Sequence, residues 1–452
     1  MRSRWVWVSL FVVCVANSAF AQPDLSRVRV VTLENGLRVL LAPDSTARTV
    51  DVAVWYRAGT RYEKPGLSGL AHLFGHLMLG GSKNFAPGDH RRLLEGAGAT
   101  LNSLINPDYC CFYETLPRGS VELPLRLEAD RMSELVIGAA GLAAGRRAVA
   151  VDRRARLRPS PIALGIELLY ATAFADHPYA RPMLGRGTDL DRVTLDDVQA
   201  YYRERFAPNQ ALLTLVGGFD PEASLAAVRR EFGARPRRPA PPPPPLRPPG
   251  QMGERRKSSV AAIPARVLLV GWQGPASRDP DAPAMEVLAQ IVTAGETSRL
   301  KRLAAGRPAD YLQTDGGFDR DREASLLFSA VAVPAGADSA AAERALEDAV
   351  EGMAQQVTDE ELDRAKRQIE ARTLFGWQAA RGRAEMLGLG EILDGDYRAV
   401  RGRWDKYLGL DAEAVRRVAA KFLKMENRAV VWLTPSTAAA SSSPTGDAEG
   451  RR

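Results

Sequence analysis

Cysteine is scarce: three residues in 452. Cys14 sits in an N-terminal apolar stretch, and Cys110 and Cys111 are adjacent, a spacing that rarely meets relaxed disulfide geometry. A disulfide framework is therefore excluded, and the adjacent pair is expected to serve as small apolar fillers on a strand. Long apolar runs are missing too. No segment beyond the N-terminal stretch is long and apolar enough to cross a bilayer. The net charge is +7, yet the arginines are interspersed with acids and no aromatic-interleaved basic stripe exists. Nucleic-acid binding has no support in that pattern.

The first residues read as a secretory signal. Arg2 and Arg4 precede the short apolar run Val6 to Val15, and Ala19-Phe20-Ala21 forms a small-x-small cleavage site. Cleavage after Ala21 is expected, which sends the mature chain to the periplasm or outside the cell. Val13 is too large for a lipoprotein signal at Cys14.

Residues 235–256 carry five consecutive prolines among further prolines and arginines. Such a stretch can be neither a helix nor a central strand and is expected to be an extended linker. It divides the chain into 22–234 and 257–437, preceded by the signal 1–21 and followed by a polar tail, 438–452, expected to be disordered. Strand-like alternation (Gly36 to Ala42, Val50 to Tyr56) and helical spacing (Ala282 to Val292, Ala341 to Gln356) mix in both parts. An α+β sandwich is expected in each. Both parts also end alike, with a helix-like stretch and then a strand (Asp196 to Phe206, Ala211 to Val216; Asp411 to Phe422, Ala429 to Leu433), which points to a duplicated unit.

The most informative stretch runs from Gly66 to Ser82 and contains His72-Leu-Phe-Gly75-His76. Histidines four apart project from one face of a helix, a workable pair of zinc ligands. Leu70, Leu73, Phe74 and Leu77 cover the other face. The bland alternative is a pair of hydrogen-bonded helix residues without metal.

With its flanks, Gly-Leu-Ser-Gly-Leu-Ala before and Leu-Met-Leu-Gly-Gly-Ser-Lys after, this stretch resembles the inverted zinc motif His-x-x-Glu-His of the pitrilysin (insulinase) family of zinc metallopeptidases. Gly98 to Asp108, Tyr113 to Pro117, Leu127 to Met132, His177-Pro-Tyr and Ser298-Arg299-Leu300 with Tyr311 extend the likeness. It is greatest to the bacterial branch related to mitochondrial processing peptidase. The resemblance implies two homologous α/β sandwich domains closing like a clam shell around a cavity. It implies zinc held by His72, His76 and Asp152, the last standing where the family has a glutamate. It also implies substrate contact at Asn102 and Ser103 on an edge strand and at Tyr311. Arg156, one turn after Asp152, is a rival partner for that carboxylate, and ordinary sheet pairing is the rival role for Asn102 and Ser103. The basic run Arg146 to Arg158 reads as a solvated helix face.

Three family positions are altered. The glutamate between the histidines, which moves the proton of the zinc-bound water, is Gly75. An upstream acid is Gly145, and the substrate-gripping arginine before Tyr311 is Ala304. The implied role is a non-catalytic, peptide-binding subunit that pairs with a catalytically complete relative and takes peptide or unfolded protein. The alternative is an active endopeptidase with a displaced base, such as Glu114 or Asp108. A scaffold without peptide binding is a third reading.

Overall fold

The computed structural model describes residues 23–239, 251–334 and 336–436. The expected signal, the five-proline run and the expected tail lie outside the described residues.

The first sheet contains β1 (Arg29–Thr32), β2 (Arg38–Pro43), β3 (Thr49–Tyr56), β4 (Thr100–Ile105), β5 (Cys110–Pro117) and β6 (Ala211–Gly217), in the order β1-β2-β6-β3-β5-β4. The second contains β7 (Arg255–Ala261), β8 (Arg266–Gly274), β9 (Gln313–Arg320), β10 (Ser325–Val333) and β11 (Arg428–Pro435), in the order β7-β11-β8-β10-β9. Without β1 the two orders coincide strand for strand. Each has one parallel pair at the same place, β2 with β6 and β7 with β11, among antiparallel neighbours. The duplication expected from the chain ends is thus visible in topology, and each half is an α+β sandwich.

The helices of the first half are α1 (Leu70–Leu77), α2 (Asp89–Gly96), α3 (Glu122–Glu134), α4 (Ala139–Leu157), α5 (Pro161–Ala173), α6 (Gly187–Arg192), α7 (Leu195–Arg205) and α8 (Pro221–Phe232). Those of the second are α9 (Ala282–Thr293), α10 (Arg299–Gly306), α11 (Ser339–Glu351), α12 (Asp359–Gln378), α13 (Ala380–Leu389), α14 (Ala399–Gly409) and α15 (Ala412–Phe422). Alternation along β3 sends Val50, Val52, Val54 and Tyr56 into a core beneath α1, α3 and α7, while Ala53 and Trp55 face the opposite way.

That opposite face is covered by the other half. α13 lies on β3 and β6, and α5 lies on β8 and β11. Ile162 and Leu169 of α5 join Val267, Leu269 and Leu326 in one core, and Leu387 of α13 joins Trp55 and Leu212 in another. The exchange is close-packed. A β-carbon on Gly388 would stand 2.3 Å from the Trp55 ring, and one on Gly165 would stand 2.2 Å from Leu269. Between the halves, a cavity of about 200 Å³ is lined by residues that include Asn106, Arg156, Ile166, Tyr170, Asp319 and Asp321.

Buried ionic contacts reinforce the junction. Arg61 pairs with Asp108 at 2.8 Å and with Glu323 of the second half, all 3% exposed or less. Glu323 also bonds His177 at 3.0 Å. Asp108 accepts further bonds from the Tyr179 hydroxyl and the Arg322 amide, each at 2.8 Å.

Candidate metal centre

α1 begins at Gly69, whose φ of 100° suits glycine and whose α-carbon leaves room for Gly185. The free amides of its first turn are not capped by Gly69, which has no side chain. Glu63 takes that role: its Oε1 accepts from the Gly69 and Ala71 amides at 3.0 and 2.9 Å. The apolar face then docks. Phe74 stacks on Phe206 with centroids 4.6 Å apart, and Leu70, Leu73 and Leu77 are buried. This leaves His72 and His76 on the face toward α4.

α4 approaches because Gly145 has no side chain. A β-carbon there would stand 2.7 Å from Leu73 and 3.4 Å from Leu77. Two turns later Asp152 reaches the histidines. Both Nε2 atoms lie 3.1 Å from the same carboxylate oxygen, Asp152 Oδ2. His72 is buried, while His76 and Asp152 are about one-third open. Burial pushes the His72 imidazole below its usual range, although its bond to Asp152 pulls the other way. Burial raises the Asp152 carboxyl, but the hydrogen bond from His72 and the nearby charge of His76 more than offset it, leaving a net lowering.

The donor set suits zinc. Ligand atoms about 2.0–2.1 Å from a tetrahedral ion stand roughly 3.3 Å from one another, close to the 3.1 Å from each histidine nitrogen to Asp152 Oδ2. One atom from each of the three residues can be chosen within 4.8 Å of the others. The three predicted ligands therefore meet, despite the shorter reach of aspartate. The expected rival is not formed: Arg156 is exposed and makes no ion pair with Asp152 among the described residues. Elsewhere on this basic helix Arg153 pairs with Glu167 at 3.0 Å, and Arg147, Arg154 and Arg158 are exposed.

Gly75 lies between the histidines and faces β4. Its nearest neighbour there is Ser103, so α1 and Ser103 are brought together. β4 is a sheet edge, as a strand-adding peptide would need. Asn102 is exposed and its Oδ1 accepts from the Ser103 amide at 2.8 Å.

Other expected positions fall elsewhere. Tyr311 packs in the core of the second half with its hydroxyl donated to the Ala342 carbonyl at 3.4 Å, so its ring serves that core. Arg302, near the altered Ala304, is paired with Glu361. Neither proposed substitute base is free. Glu114 is fully buried beside Arg131 at 3.3 Å, and burial together with Glu128 holds its carboxyl well above the usual range. Asp108 is consumed by the junction between the halves. Glu114, Glu128 and His90 form a second group with metal-ligand spacing, but the Arg131 guanidinium, paired with both glutamates, supplies the cation there.

Glu63 and the packing role of Gly145 were not foreseen. Glu63 lies outside capping-box spacing, so no local signal marks it. Gly145 is explained by a helix that lies far away in sequence.

Comparison with known proteins matches residues 38–187 to the model of the insulinase family (peptidase family M16) and residues 192–369 to that of the peptidase M16 inactive domain. The chain is 24% identical over 443 residues to the zinc protease PqqE of Helicobacter pylori, covering 94% of this chain and 97% of that one. It is 22% identical to a probable mitochondrial-processing peptidase subunit beta of Arabidopsis thaliana, covering 93% and 80%. Among solved structures, a protease from Helicobacter pylori superposes with a TM-score of 0.86 at 22% identity, covering 92% of this chain and all of that one. A peptidase M16 inactive domain from Pseudomonas fluorescens gives 0.79 at 18% identity, covering 91% and 98%.

Proposed function

Because the chain belongs to the insulinase family of peptidases, M16, and brings His72, His76 and Asp152 together with Gly75 between the histidines, we propose that it is a catalytically impaired, peptide-binding member of that family. It would act as the non-catalytic partner of a complete zinc protease in the periplasm. The observation that carries this reading is Gly75. It stands between His72 and His76, and neither proposed substitute base is free among the described residues: Asp108 is paired with buried Arg61, and Glu114 is buried against Arg131.

His72, His76 and Asp152 would hold a zinc ion, which when bound supplies a Lewis acid and an acidified water. The chain's own residues contribute the rest. His72 and His76 fix the ligand face through the apolar docking of α1. Ser103 and Asn102 border it on an unpaired strand edge, where an extended peptide adds through main-chain bonds. On this reading the missing contribution is that of a side chain at position 75 to move a proton, typically a factor of about 10²–10⁴ in rate.

The test combines zinc content, cleavage of a quenched peptide library, and binding of labelled extended peptides. Peptide binding with little or no cleavage, at a zinc-loaded or a zinc-free site, supports the proposal. Chelator-sensitive turnover by the isolated chain, at rates typical of peptidases, contradicts it in favour of a displaced base. Absence of peptide binding points to a scaffold.

A further inference from the structure

The cavity of about 200 Å³ between the halves adjoins both parts of the candidate site. Asn106, in its lining, is the residue that follows β4. Arg156 and Leu157 bring the last turn of α4 to it, and Arg156 is one turn beyond Asp152 on the same helix face. The His72 imidazole is held down mainly by burial and in smaller part by the charge of Arg156, so the rim lies within electrostatic reach of the ligands. Gly75 faces Ser103 and Ile105. From Ser103 to Asn106 a strand advances about 10 Å. A peptide paired with β4 beside the histidines therefore reaches the opening within a few residues.

Sites for small molecules typically enclose roughly 300–1,000 Å³. This cavity is smaller and suits a single side chain. Its open wall is apolar: Leu157, Ala163 and Ile166 are half-buried, and Met183 is 44% exposed. Its polar groups are largely engaged. Arg181 donates to the Thr60 and Arg61 carbonyls at 3.2 and 2.7 Å, and Glu167 pairs with Arg153 at 3.0 Å. Asp319 accepts from the Tyr170 hydroxyl. Asp321 is buried, and burial together with the charges of Asp108 and Asp319 keeps its carboxyl well above the usual range. A charged side chain would lose hydration against this wall, and a cation would also meet Arg156 and Arg181.

We propose that the cavity receives one bulky apolar side chain, such as Phe or Leu, of an extended peptide bound along β4. The substrate class is then peptides with an apolar residue close to the metal centre. Ile166 and Met183 are the residues that set the preference. This rests on the peptide binding proposed for the β4 edge and adds a selectivity to it.

The probe is a labelled, end-blocked alanine-serine peptide with one central Phe, Leu, Lys or Glu, or none. The uniform host lets that residue find its register. Fluorescence anisotropy with the full chain should show the Phe and Leu peptides bound at least about tenfold more tightly than the host. The Lys and Glu peptides should bind no more tightly than the host. Ala163→Phe fills the cavity from α5 and should reduce the Phe peptide to the affinity of the host, itself unchanged. Met183→Ala, an exposed change, should weaken the Phe peptide severalfold and spare the host. Equal affinity for all peptides, a preference for Lys or Glu, or a Phe preference that survives both variants overturns this inference and leaves peptide binding standing. Failure of every peptide to bind overturns both. Circular dichroism checks the fold of each variant, and if Ala163→Phe unfolds, Met183→Ala decides.

Discussion

A β-carbon on Gly75 would stand 3.6 Å from the Ser103 hydroxyl oxygen, with Ile105 next at 3.8 Å. These are ordinary contact distances, so the position has room for a side chain that the chain does not use. Gly75→Glu is expected to fold and to gain roughly 0.5–1 kcal/mol of helix propensity. It places a carboxylate on the ligand face. With zinc present, cleavage of a quenched peptide should rise at least about 10²-fold over the parent chain and respond to chelator. Gly75→Gln should fold equally well and stay inactive. A stable, zinc-loaded Gly75→Glu without turnover would show that more than the base is missing.

Gly145 presents the reverse case. A side chain there meets fully buried Leu73 at 2.7 Å. Gly145→Ala gains about 1 kcal/mol in helix propensity but overpacks the α1–α4 contact, a cost of about 1–3 kcal/mol. Urea unfolding should show a net loss of about 1 kcal/mol. A net gain would mean that Leu73 moves aside freely.

The cap on α1 makes stability depend on pH. Burial pushes the Glu63 carboxyl from 4.5 up to about 8, although the Ala71 and Gly69 amides oppose it. The folded chain therefore keeps a proton that the unfolded chain has released. The stabilisation is fully present below about pH 4.5 and is lost as the pH rises toward 8. Glu63→Gln keeps an acceptor for both amides and has no such proton. The melting temperature of the parent chain minus that of the variant should fall between pH 5 and 8 and then level off. Parallel pH profiles for the two proteins would exclude Glu63 as the source.

At the junction, Glu323→Ala leaves buried Arg61 with only Asp108. Removing one member of a buried ion pair costs about 3–5 kcal/mol. Chemical unfolding should register a loss of that size, whereas Glu323→Gln, which retains an acceptor, should lose less. A loss below about 1 kcal/mol would mean that water or Asp108 takes over the pairing.

The two histidines were legible because a four-residue spacing and an apolar opposite face are local properties of one helix. Asp152 was legible only through likeness to a family, since nothing local joins residues 76 apart (His76 to Asp152). The strand alternation of β2 and β3 and the matching chain ends announced the doubled sandwich. What escaped notice depends on which face meets which neighbour. Glu114 and Asp108 look like available carboxylates in a linear chain, yet alternation along β5 turns Glu114 inward, and Asp108 meets Arg61 only after folding. Tyr311 is likewise indistinguishable in sequence from a substrate-facing tyrosine. The positions of α5 and α13 carry no sequence mark, because an apolar helix does not announce whose sheet it will cover.

That crossing of α5 and α13 bears on how such a chain can change over evolutionary time. Each sheet is completed by a helix borrowed from the other half, so neither half can drift toward independence or be discarded without leaving an apolar surface bare. Chemistry is held less tightly. Position 75 lies away from that crossing, with ordinary contact distances around it, so its side chain can vary without disturbing this mutual dependence. If the proposed loss of cleavage holds, the architecture is retained without the reaction, because both halves must be inherited together.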